Sequence, residues 1–170
     1  MSTAYILAAG KGTKIWPYGE IRPKAMLPAA NRPLLAHLVE SLRLAGAAKI
    51  VIGADKGVAE IRNGVGMSDD VTVHQTGASA GTADTLNRLI TAGDGHGAGF
   101  FVFYGDTWID PEDVSRFMHG AVKNPQTAAI LLAPIAELEI RDWICARVQD
   151  DKLAGVAGHP RDGYTHQFAA

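Results

Sequence analysis

The chain has 170 residues, 47% of them hydrophobic and 20% charged, which suits one globular domain with a substantial core. Lysine and arginine number 16 against 18 acidic residues, a formal charge of −2, so no basic surface for nucleic acid or an anionic membrane is expected. A single cysteine, Cys145, excludes an internal disulfide framework. No apolar run is long enough to span a bilayer, and the chain enters a strand pattern with no leader-like segment before it, so the expected location is cytoplasmic.

In chain order, Tyr5–Ala8 reads as a first strand, apolar on both faces. Pro33 to Ala45 reads as a helix, with Leu34, Leu35, Leu38, Val39 and Leu42 at helical spacing and Gly46 placed to cap its end. Lys49–Gly53 is a second strand, followed by a short helix around Val58–Arg62, and Val71–Gln75 is a third strand. Thr82–Ala92 forms a helix that Thr82 is placed to cap, with Leu86, Leu89 and Ile90 facing inward. Phe100–Tyr104 is a fourth strand, and Asp110-Pro111 opens the next helix as N-cap and first helical residue. Thr127–Pro134 is a fifth strand, and Ile144–Gln149 with Lys152–Val156 forms a hairpin turning at Asp150-Asp151. The alternation predicts an α/β domain over 1–170, Rossmann-like and doubly wound around a mainly parallel sheet. Its glycine-rich segment Thr91–Gly99 is the expected mobile connection.

The first strand runs into Ala8-Ala9-Gly10-Lys11-Gly12-Thr13-Lys14, and Pro23-Lys24-Ala25-Met26-Leu27-Pro28 follows. Glycines let backbone amides approach an anion, and the lysines add mobile positive charge, so a nucleoside triphosphate is the ligand class suggested. Two common phosphate motifs are absent. The P-loop spacing Gly-x-x-x-x-Gly-Lys-Ser/Thr does not occur, and the dinucleotide fingerprint lacks both its third glycine and a suitably placed acidic residue. None of the six histidines pairs with another histidine or with Cys145 at a zinc-site spacing, so each is expected to be structural or solvated.

The whole string resembles the sugar-1-phosphate nucleotidyltransferase (sugar-nucleotide pyrophosphorylase) family. It combines Leu7-Ala8-Ala9-Gly10-Lys11-Gly12-Thr13-Lys14, Pro23-Lys24-Ala25-Met26-Leu27-Pro28 and Asn31-Arg32-Pro33-Leu34. The N-acetylglucosamine-1-phosphate uridylyltransferase and glucose-1-phosphate thymidylyltransferase groups are the nearest in pattern. Gln75 with Gly81-Thr82-Ala83 resembles the family's base-binding segment, and Tyr104-Gly105-Asp106 its metal-binding strand end. The resemblance implies transfer of a nucleotidyl group from UTP or dTTP to a sugar 1-phosphate, with Mg²⁺ as cofactor. The turn from Leu7 to Thr13 would wrap the triphosphate, Lys14 and Lys24 would stabilise its charge, and Gln75, Gly81 and Thr82 would receive the base. Taken alone, Gln75 merely ends a strand and Thr82 merely caps a helix. Asp106 would hold the metal, being a strand-end carboxylate with no apparent local basic partner, whereas capping explains Asp110 fully.

The second half departs from the family pattern. Lys14 stands where arginine is usual, Cys145-Ala146-Arg147 replaces Tyr-Gly-Arg, and Gly158-His159-Pro160 replaces Glu-Lys-Pro. Ala146 and His159 are therefore the expected sugar-phosphate positions. The family's domain continues beyond the equivalent of Ala170, so the chain is expected to be truncated. The resemblance also admits a homo-oligomer and, in a longer protein, a fused C-terminal left-handed β-helix. The competing expectation is a non-catalytic nucleotide-sugar-binding regulatory subunit on the same fold.

Overall fold

The structure is a computed structural model that describes residues 2–10, 12–93, 99–124, 127–134, 144–157 and 168–169. Lys11, His159 and most of the Thr91–Gly99 connection lie outside the described residues. The chain divides into two compact units, Met1–Pro125 and Gln126–Ala170.

The first unit runs β1 (Ser2–Leu7), a 3₁₀ turn (Thr13–Ile15), α1 (Tyr18–Ile21), a second 3₁₀ turn (Lys24–Met26), β2 (Pro28–Ala29) and β3 (Arg32–Pro33). It continues through α2 (Leu34–Leu44), β4 (Ala47–Ala54), α3 (Val58–Val65), β5 (Val71–Gln75), α4 (Thr82–Ala92), β6 (Phe100–Tyr104) and α5 (Pro111–Val122). Four of these strands form a parallel sheet in the order β5-β4-β1-β6. Chain order thus grows outward from β1 in one direction through β4 and β5, then reverses to put β6 on its other side. That reversal is the topological switch point of a doubly wound sheet, and ligands in such folds bind outside the carboxyl ends of the strands there.

Central position explains the apolar character of β1, whose residues Ala4 to Leu7 are all buried. Ala4 and Ile6 pack with Leu35, Leu38, Val39 and Leu42 of α2, which recur at helical spacing, and with Val114 and Met118 of α5. Tyr5 and Leu7 point the other way and pack with Val51 and Leu89. A strand covered by helices on both faces has no room for polar alternation. Phe101 and Phe103 of β6 meet Phe117 of α5 edge to face, with centroids 5.7 and 6.2 Å apart. Their alternates Phe100, Val102 and Tyr104 are exposed.

Local signals work as expected at several ends. The Asp110 carboxylate accepts from the Glu112 amide at 2.9 Å, with Pro111 opening α5. Gly46 adopts a left-handed φ of 86° just past α2. Thr82 does not cap α4: the capping position is Gly81 and Thr82 is the first helical residue, because the chain enters at φ 151°, ψ −173°, a region open only to glycine.

The second unit contains β7 (Ala133–Pro134), β8 (Cys145–Gln149), β9 (Lys152–Ala157) and β10 (Phe168–Ala169), in the order β7-β10-β8-β9 and antiparallel throughout. Asp150 and Asp151, at φ 50° and 57°, make the two-residue hairpin turn that the sequence predicts. The predicted strand Thr127–Pro134 is corrected, since only Ala133–Pro134 forms a ladder. Apolar, β-branched composition favours an extended backbone, but strand structure also needs a neighbour to bond with.

Candidate functional site

A cavity of about 370 Å³ opens at the carboxyl ends of β1 and β6, at the switch point. Its floor is the chain leaving β1, Leu7 to Gly10. This turn is pinned between neighbouring strands: the Ala8 amide donates to the Gly53 carbonyl at 2.8 Å, and the Gly105 amide to the Leu7 carbonyl at 3.0 Å. Those bonds extend the ladders past both strand ends, so Ala9 and Gly10 begin where backbone pairing among the described residues stops. Gly105 is fitted closely there, since a Cβ on it would lie 3.2 Å from both Ala8 Cβ and Ile6 Cγ2.

One wall carries the two charged groups. Lys24 Nζ lies 2.7 Å from Asp106 Oδ2, and both side chains are roughly one-third exposed, at 39% and 32%. Asp106 therefore does have a basic partner, which corrects the expectation from sequence. The partner comes from a distant loop that only the fold brings beside the β6 end. Lys24 is placed by packing behind it: Gly57, at φ 69°, accepts the Pro23 ring so closely that a Cβ would lie 2.4 Å from Pro23 Cγ.

The opposite wall is the loop from Thr76 to Gly81 and the start of α4. Ala78, Ser79, Gly81, Thr82 and Thr85 line the cavity. Three α4 side chains hold this loop. Arg88 Nη1 donates to the Thr76 and Ala78 carbonyls at 2.8 and 3.1 Å. The Ala80 amide donates to Asp84 Oδ2 at 2.9 Å, and Thr85 Oγ1 lies 2.7 Å from Ser79 Oγ. That amide bond, followed by Arg88, holds the Asp84 carboxyl below its ordinary pKa. The loop is thus bolted to the first turns of α4, whose amino end faces the cavity through Gly81 and Thr82. An anion there would meet unsatisfied amides and the positive end of the helix dipole.

Residues 4–151 match the family described as the MobA-like NTP transferase domain. The chain belongs to that family. Among relatives, this NTP transferase domain is 32% identical over 136 residues to the bifunctional protein GlmU of Symbiobacterium thermophilum, covering 79% of the chain and 28% of that protein. It is 27% identical over 166 residues to the CMP-5′-(3-aminopropyl)phosphonate synthase of Streptomyces rubellomurinus, covering 92% of the chain and 26% of that protein. The chain thus spans little more than a quarter of the length of either relative. In fold it is similar to a structure described as a glucose-1-phosphate thymidylyltransferase from Bacillus anthracis, with TM-score 0.83, 20% identity, and coverage of 99% of this chain and 68% of that one.

Within this NTP transferase domain, Leu7, Ala8, Ala9, Gly10, Lys24, Gly81, Thr82 and Asp106 all reach one cavity. Gly12, Thr13 and Lys14 do not line it, and Lys14 is exposed on its 3₁₀ turn. Gln75 also stays outside, exposed at the end of β5, where its Nε2 reaches toward the Asp55 carbonyl at 3.5 Å. Ala146 is buried in β8 between β9 and β10, with only backbone groups to offer a ligand. Asp55 lines the cavity although its sequence context does not single it out, and so does Tyr104, which the sequence marks only as part of the strand end before Asp106. The available signal is positional: Tyr104 ends β6 and Asp55 follows β4, so both stand at the ligand-binding edge of a parallel sheet.

Among the described residues, no group of three or more His, Cys, Asp or Glu side chains forms a metal cage. Asp106 alone still suits Mg²⁺, which commonly takes one or two carboxylates and completes its shell with phosphate oxygens and water. The donor set fits a metal that arrives with a nucleotide. His37 Nε2 lies 3.0 Å from the Ala29 carbonyl and its ring packs on Trp108, as expected of a structural histidine. No described helix is long and apolar enough to cross a membrane.

Proposed function

We propose that this domain binds a pyrimidine nucleoside triphosphate, UTP or dTTP, and transfers its nucleotidyl group to a sugar 1-phosphate with release of pyrophosphate. The observation that carries the reading is the switch-point cavity, where the Ala8–Gly10 turn, the Lys24–Asp106 pair and the amino end of α4 converge. Polyphosphate needs backbone amides, a mobile cation and a carboxylate for its metal, and these are the groups that converge.

In the proposed reaction a sugar-phosphate oxygen bonds to the α-phosphorus while the bond to the bridging oxygen breaks, and pyrophosphate leaves with that electron pair. The attacking oxygen is already anionic, so no side chain needs to act as general base. Mg²⁺, held by Asp106 and phosphate oxygens, would supply charge neutralisation. Asp106 would be the carboxylate that holds the metal, and Lys24, whose ammonium lies beside it, would donate to the phosphates at the point of attack. The turn from Ala8 to Gly10 and the start of α4 keep the phosphates oriented with rigid backbone dipoles. Lys14, outside the cavity and exposed, is the second cation proposed for the outgoing phosphates, with charge but without the fork of an arginine. Ala146 and His159 remain the positions proposed for the sugar phosphate.

The test is pyrophosphate release by the chain with Mg²⁺, assayed with each triphosphate and a panel of sugar 1-phosphates. Release that requires both substrates is expected. Nucleotide binding without release on any acceptor would overturn catalysis. It would support the second reading, a nucleotide-sugar-binding regulator, which the exposed place of Lys14 outside the cavity favours.

A further inference from the structure

Two carboxylates line the switch-point cavity, and they differ in one respect. Asp106 is neutralised by Lys24 at 2.7 Å. Asp55 has no cation or hydrogen-bond donor on its side chain among the described residues. Its neighbour Lys56 is committed elsewhere, donating to the Gly19 carbonyl at 2.9 Å. Two other acidic residues of this unit are partnered: Glu60 lies 3.7 Å from Arg22, and Asp84 takes the Ala80 amide and Arg88. Asp55 also lines a second cavity of about 230 Å³ that shares Ala8, Ala9 and Gly10 with the first. It therefore stands at the junction of the two, on the β4 side of the glycine turn.

A carboxylate without a partner among the described residues is out of place in a pocket for phosphate alone. It accepts hydrogen bonds and donates none, and its charge repels a polyphosphate. Its presence is explained if the ligand brings hydrogen-bond donors to that end of the cavity. The position of Gln75 points the same way. The amide expected to read the base is turned toward the Asp55 carbonyl, outside the cavity, so Asp55 is the group that β4 and β5 present to a ligand.

We propose that the Asp55 carboxylate accepts hydrogen bonds from the nucleoside part of the nucleotide and sets its specificity. Three nucleoside groups have the required chemistry: the ribose hydroxyls, the N3–H of uracil or thymine, and the exocyclic amine of cytosine. A carboxylate's two oxygens match a vicinal diol, and a single oxygen suffices for an amine. The inference rests on the triphosphate reading above and deepens it. It makes Asp55 the residue that separates ribonucleotides from deoxyribonucleotides, or amino bases from keto bases.

Calorimetric titration of the 170-residue chain tests it, with wild type, Asp55→Ala and Asp55→Asn against the Mg²⁺ complexes of UTP, 2′-deoxy-UTP, 2′,3′-dideoxy-UTP and CTP. A hydrogen bond to a charged acceptor is worth about tenfold or more in affinity. If the ribose is read, wild type prefers UTP over the deoxy forms by that factor and Asp55→Ala abolishes the preference. If the base is read, wild type separates UTP from CTP, favouring UTP for the N3–H and CTP for the amine, and that separation disappears instead. Asp55→Asn keeps the shape and one acceptor and is expected to fall between. Thermal melts of both variants without ligand show whether they fold. Unchanged affinity ratios in Asp55→Ala, even with every nucleotide bound uniformly tighter or weaker, would overturn the assignment. The triphosphate reading itself fails only if wild type binds none of the four, and the assignment to Asp55 falls with it.

Discussion

Replacing Gly19 by alanine is expected to loosen the glycine turn from behind. A Cβ on Gly19 would lie 2.5 Å from the Gly12 carbonyl oxygen, 3.1 Å from its carbon and 3.3 Å from its Cα. All three atoms are backbone, so no side chain can swing aside. Reaching even a 3.0 Å separation requires Gly12 and Gly19 to part by half an ångström. Neither side yields freely: Gly12 sits at φ 67° with its carbonyl accepting from the Ile15 amide at 3.1 Å, and Gly19 is held by Lys56 at 2.9 Å. Overpacking of this kind costs about 1–3 kcal/mol. In a chain of this length, each kcal/mol lowers Tm by about 2–4 °C. Urea unfolding and calorimetric titration with Mg²⁺-UTP check both halves of the argument, and a loss of stability accompanied by weaker nucleotide binding is expected. Wild-type stability and affinity in Gly19→Ala would refute the claim that this contact shapes the turn.

Lys24→Met should change folding stability by less than about 1 kcal/mol, because an ion pair one-third exposed to solvent contributes little. It should weaken binding of Mg²⁺-UTP by about tenfold or more by calorimetry, and an unchanged affinity would remove Lys24 from the phosphate site. The Asp70 carboxyl is held at about 2, below its ordinary 3.8, chiefly by hydrogen bonds from Arg43 and then from Ser68. A depressed folded pKa adds stability above pH about 4 that drains away as pH falls toward 2. Asp70→Asn should therefore melt below wild type at pH 7, with the gap closing at pH 2; a gap independent of pH would contradict the assignment. Gly120, exposed in α5 with nothing within 4 Å of a built Cβ, should accept alanine with a gain of about 0.5–1 kcal/mol in chemical denaturation.

Elements with a local cause could be read from the sequence. The bounds of α4 agree with its predicted range Thr82–Ala92, and α5 starts where Asp110-Pro111 places it. The hairpin turn at Asp150-Asp151 is equally local. Features that depend on which segments become neighbours could not be read this way. The Lys24–Asp106 pair joins a loop before β2 to the end of β6, and nothing near Asp106 in sequence announces it. Gln75 illustrates the same limit from the other side. Its place at a strand end was legible, but the direction of its amide depends on the neighbouring end of β4. Strand formation over Thr127–Pro134 failed for want of a predictable partner along most of its length.

The strand order has a consequence for how the domain comes into being. β1 is made before both of its partners, and one of them, β6, follows only after β4, β5 and the intervening helices. The cavity needs both ends of that late pairing, since Ala8 and Gly10 follow β1 while Asp106 follows β6. Closing such a long chain segment is entropically costly, and non-local pairings of this kind are slow to form. On the proposed function, nucleotide capture during synthesis or refolding is expected only once β6 has docked beside β1. A nascent chain that ends before Phe100 can hold the glycine turn and Lys24 but has no carboxylate at the β6 end to complete the site.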